Sequence, residues 1–131
     1  MKSYTDLQQS RKLAEILPLE SADMCYIKHT SSDNPNWEFN EDFPPMILGS
    51  VPINEIAAET LPCWSLAALF SILPKEIVYN KNIVYLEFHV WQNSLEYVNN
   101  ADYILHITRS YDNPVDACYE MILKLHELKM L

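Results

Sequence analysis

Glycine is nearly missing: Gly49 is the single one in 131 residues. Loops that cradle phosphate need several glycines, for tight turns and for close approach of the backbone, so P-loop and dinucleotide-binding chemistry are excluded. Cysteine is scarce and scattered. Cys25, Cys63 and Cys118 form no C-x-x-C pair, which leaves out zinc ribbons and thioredoxin-type redox motifs. No stretch approaches the roughly 20 apolar residues of a membrane span. Bases are few, 9 lysines and arginines against 18 acids, for a formal charge of −9. A field of that sign repels phosphate backbones and argues against direct binding to DNA or RNA. G-x-S-x-G, H-E-x-x-H and EF-hand patterns are also missing. No cofactor motif remains, and no group of histidines, cysteines and acids has the spacing of a metal site. Cys25 and His29 would share one face of a strand but stand about 13 Å apart, too far to chelate one ion.

What is present is an ordinary apolar content, 49% hydrophobic against 21% charged. A chain of this length buries roughly two-thirds of its unfolded surface, enough for one domain, 1–131, with a true core. The first six residues lead into a polar helix, not an apolar signal core, and an odd number of cysteines suits reduced thiols, so the expected location is the cytoplasm.

Two look-alike helix endings organise the chain, LAEILP at 13–18 and ALFSILP at 68–74. Proline cannot continue a helix, and strand-like sequence follows each. The first helix is expected over 5–17, with Thr5 as its cap and Gln8 completing a capping box. A strand over 22–28 and a shorter one over 46–48 follow. The second helix is expected over 62–73. Pro62 suits a first helical turn, and the run from Cys63 to Leu73 is apolar nearly all round, as in a centrally buried helix.

The strongest β signal is a hairpin, 77–79 and 83–91, joined by Asn80-Lys81-Asn82. Its second arm alternates, with Val84, Leu86, Phe88 and Val90 on one face. Tyr85, Glu87, His89 and Trp91 line the other, which would suit a homodimer contact as well as solvent. Strands over 95–98 and 103–108 follow. A last helix begins at Asn113 (cap), Pro114 and Asp116, with an apolar stripe of Val115, Cys118, Met121, Ile122, Leu125 and Leu128. Glu120 and Lys124 can pair on its wet side. The order is α-β-β-α-β-β-(β)-β-α, an α+β fold with three helices on a mainly antiparallel sheet.

The charge is concentrated. Between Glu20 and Glu59 there are eight acids against one base, Lys28. Such a run commonly makes a solvated face. It equally suits docking on a basic protein surface, or inhibition by mimicry of a nucleic acid. Within it, about 30–45 is a polar loop carrying aromatics, and loops on a rigid frame are where recognition concentrates. Trp37, Glu38, Phe39, Glu41 and Asp42 are the candidate partner-binding residues, an aromatic anchor with an acidic rim. Trp37 can instead tuck against the core, as large aromatics commonly do.

The competing reading is a small thiol-dependent enzyme. Cys63 at a helix N-terminus would have a lowered pKa, and His89 and His106 on neighbouring strands could supply a base. A buried structural cysteine is the simpler account of a thiol opening an apolar helix.

Three blocks, KLAEILPLESADM at 12–24, LPCWSLAALFSILP at 61–74 and NPVDACYEMILKLHELKML at 113–131, occur in order. Together they resemble a group of small uncharacterised proteins encoded in gut Bacteroidetes genomes and their prophages or mobile elements. The resemblance implies a bacterial or phage cytoplasmic accessory protein with no assigned activity, and no catalytic or binding residue carries over from it.

Overall fold

The computed structural model describes residues 2–28, 39–40, 42–56, 59–89, 93–99, 112–131 and the backbone of 104–109. Among these residues, three helices and two antiparallel sheets make an α+β fold. Among the described residues, no helix is long and apolar enough to cross a membrane. Contacts divide the chain into two compact units, Tyr4–Ala68 and Leu69–Leu131 with Met1–Ser3.

In the first unit, α1 (Leu7–Ala14) begins at a capping box built one residue later than expected. Asp6 accepts from the Gln9 amide at 2.8 Å, and the Gln9 side chain accepts from the Asp6 amide at 3.1 Å. Thr5 is otherwise engaged. It is fully buried, its hydroxyl accepts from the Trp64 amide at 3.2 Å and lies 2.8 Å from the Ser10 hydroxyl. The helix also closes earlier than 17, at Ala14, because the residue before a proline is pushed out of the helical region. A tighter turn, with Ile16 and Leu17 amides both donating to the Leu13 carbonyl, carries the chain to Pro18.

Strands β1 (Met24–Ile27), β2 (Met46–Ile47) and β3 (Thr60–Cys63) form a sheet in the order β2-β1-β3, with Met24 opposite both Ile47 and Cys63. The strand β3 replaces the expected start of the second helix. Pro62 lies opposite Cys25 on an outer strand, where a missing N–H breaks no central ladder. The helix α2 (Leu66–Ile72) starts after Ser65, whose hydroxyl accepts from the Ala68 amide at 3.2 Å. It is not buried all round, since Ala67 and Ser71 are exposed while Ala68 and Leu69 are buried. Leu13, Cys25, Cys63 and Trp64 are fully excluded from solvent, and the Trp64 indole donates to Ser21 at 3.0 Å.

The second unit is a meander, β4 (Glu76–Tyr79), β5 (Asn82–His89), β6 (Ser94–Val98) and β7 (Ile104–Arg109), hydrogen-bonded in that order. Its first turn is two residues, not three. Asn80 and Lys81 have φ of 50° and 65°, as a type I′ turn requires, and Asn82 already pairs with Tyr79. The alternation along β5 holds, with Val84 buried, Leu86 and Phe88 half-buried, and Tyr85, Glu87 and His89 exposed. Val90 and Trp91 lie outside the described residues. Helix α3 (Pro114–Glu127) has the expected start: Asn113 accepts from the Asp116 amide at 2.9 Å, and Lys2 pairs with the Asp116 carboxylate at 2.8 Å. Val115, Cys118, Met121, Ile122 and Leu125 are buried, and Lys124 lies 3.8 Å from Glu127. Tyr97, fully buried, donates to the Pro74 carbonyl at 2.8 Å.

Candidate interaction surface

Large apolar side chains left in water mark the surfaces a protein uses. In the first unit they concentrate in the segment running into and out of β2. Phe43 is 40% exposed, Met46 38%, Ile47 74% and Val51 46%. β2 lies at the outer edge of its sheet and is only two residues long. Pro44 and Pro45 enter it without amide donors, so this edge offers side chains more than backbone.

The turn before the prolines is built by Asn40. Its side chain accepts from the Asp42 amide at 2.9 Å, and its carbonyl accepts from the Phe43 amide at 3.2 Å. Asp42 and Phe43 are thereby exposed side by side. Beyond β2 the chain turns at Gly49, whose φ of +60° is the conformation glycine adopts without strain. The Leu48 amide donates to the Asp23 carbonyl, and the Val51 amide returns to the Leu48 carbonyl, both at 3.0 Å. This turn and Leu19–Ser21 border a cleft of about 430 Å³, floored by Leu48 and Ile53 and flanked by Glu20.

Of the expected partner-binding residues, Asp42 is exposed on this surface. Phe39 is half-buried and packs against the cluster of Leu7, Tyr26 and Cys63, so it tethers the segment to the core and is not an open anchor. Trp37, Glu38 and Glu41 lie outside the described residues, as does His29. Among the described residues of this segment, the exposed aromatic is Phe43. The Pro-Pro pair that follows it restricts its backbone but does not set its exposure, so no local signal marked it.

Cys63 does not sit at a helix N-terminus. It ends β3, fully buried, with its thiol donating to the Thr5 carbonyl at 3.5 Å and accepting from the Thr5 hydroxyl at 3.6 Å. Burial pushes its pKa up, outweighing hydrogen bonds from Thr5, Ser10 and Tyr26 that lower it. Burial likewise raises Cys25, and pushes Cys118 up to about 12. His89 and His106 are not on neighbouring strands, because β6 lies between β5 and β7. Both premises of a thiol nucleophile with a histidine base therefore fall.

No family model, no curated protein and no solved structure matches this chain.

Proposed function

We propose that this chain is a non-enzymatic protein-interaction module, an accessory protein of phage or mobile-element origin acting in the cytoplasm. The observation that carries this reading is the exposure of Ile47 at 74%, flanked by Phe43, Met46 and Val51 in one short segment. Apolar anchors of this kind gain binding energy by leaving water. Asp42, Glu20 and Glu55 are exposed in the same unit, so the fitting partner presents an apolar pocket bordered by lysine or arginine. The origin rests on the three sequence blocks named above, and the compartment on three unpaired, buried thiols, which suit a reducing environment.

The test uses the tagged full chain as bait in a bacterial lysate, beside an Ile47→Asp, Phe43→Ser variant. Both positions are exposed, so the variant should fold. A protein retained by the wild type and lost in the variant supports the reading. Identical captures from both chains sink it. Retention that depends on Asp42 and collapses steeply with salt, while surviving the apolar double change, would transfer support to acidic mimicry.

A further inference from the structure

The register of β5 against β6 sets Glu87 directly opposite Glu96. Like charges at opposed positions of an antiparallel pair destabilise it. Between them stands His89. Its Nε2 donates to Glu96 Oε1 at 2.7 Å and lies 3.5 Å from Glu87 Oε2. One donor atom from each of the three residues falls within 4.8 Å of the others. Oxygen and nitrogen ligands of a tetrahedral zinc ion, at about 2.0–2.1 Å from the metal, stand about 3.3 Å apart. The side chains need only small rotations to reach that spacing.

We propose that Glu87, His89 and Glu96 form a divalent transition-metal site of the zinc class, on the wet face of the four-stranded sheet. Imidazole with two carboxylates is a donor set suited to borderline cations, and alkaline-earth ions, which favour oxygen alone, are disfavoured by the ring. The bound ion takes the Nε2 position that now faces Glu96, and the ring coordinates as neutral imidazole with its proton on Nδ1. Solvent completes the coordination, because His89 and Glu87 are about half exposed. Glu96 is the more enclosed ligand, its side chain 18% exposed, so its charge has less water to answer it. The pairing of β6 with β7 shifts register between Glu96 and Val98, with the extra residue on β7. No sequence spacing advertises the site, because Glu96 arrives from the next strand. The inference is independent of the interaction surface, which belongs to the other compact unit.

Calorimetric titration of the full chain with zinc chloride tests it, with the visible absorption of added cobalt(II) as a second probe. Wild type should bind one zinc per chain. His89→Ala and Glu96→Gln should each weaken binding by at least about tenfold, the least expected for damage to a metal's ligand set. Circular dichroism checks that these changes leave the fold intact. The ring signals of the four histidines provide a readout without mutation: those of His89 should move on adding zinc while the others stay. Lack of saturable binding by the wild type would overturn the site. So would wild-type affinity in either variant, or zinc-induced shifts confined to the other histidines.

Discussion

Asp23 caps the cap of the second helix. Its Oδ1 accepts from the Ser65 amide at 2.9 Å, its other oxygen accepts from the Ser65 hydroxyl, and that hydroxyl accepts from the Ala68 amide. Through this relay a residue just before β1 orients the start of α2. Asp23→Ala leaves the Ser65 amide without its acceptor and should destabilise the protein by about 1–3 kcal/mol. Asp23→Asn, which keeps an acceptor oxygen, should lose clearly less. Urea unfolding of the three proteins at neutral pH measures both differences.

The thiols should be inert in the folded state. Cys25, Cys63 and Cys118 are all buried with raised pKa values, and the thiolate is the reactive form. Ellman's reagent at mildly alkaline pH should titrate none of them quickly in the native protein and all three in urea. Rapid native labelling of Cys63 would reinstate the thiol-enzyme reading.

Alkaline pH should erode stability through Cys118. Its pKa rises from 9.0 to about 12 on folding, so the unfolded chain loses this proton first. Its contribution is complete below pH 9 and declines as pH climbs toward about 12. Tyr97, also raised by burial, acts in the same direction. Unfolding midpoints between pH 8 and 11 should fall in the wild type, and more gently in Cys118→Ala compared with its own value at pH 8.

Lys81 occupies a left-handed conformation, φ 65°, in a two-residue turn that favours glycine there. Lys81→Gly removes a steric cost and should raise stability by up to about 1 kcal/mol. Thermal unfolding followed by circular dichroism would register it as a higher midpoint.

Legibility in the sequence tracks how local each cause is. Helix α3 was readable because Asn113, Pro114 and Asp116 signal its start within four residues, and its buried stripe repeats at helical spacing. The strand β5 was readable from the period-two alternation of Val84 to His89. β3 was not, because Pro62 before an apolar run imitates a first helical turn, and Ser65's capping role depends on Asp23, distant in sequence. The same holds for the capping box: whether Thr5 or Asp6 starts α1 is decided by Trp64, which captures the Thr5 hydroxyl. Among the candidate site residues, Asp42 stayed exposed, while Phe39 was claimed by a cluster that includes Cys63 from a distant strand. Glu87 and His89 share a face by the alternation of β5, but Glu96 joins them only through a strand register that no single segment specifies.

The two sheets differ in how far the chain must travel to close them. Each strand of the four-stranded meander pairs with its immediate successor, so its ladders zip from short turns. β1 is separated from β2 and β3 by long stretches of chain, and that loop entropy is lost before their contacts reward it. The meander is therefore expected to fold first. The burial of Trp64, beyond that long connection, reports the late step, and with Trp37 and Trp91 replaced by phenylalanine its fluorescence should change after the bulk of the β signal has formed.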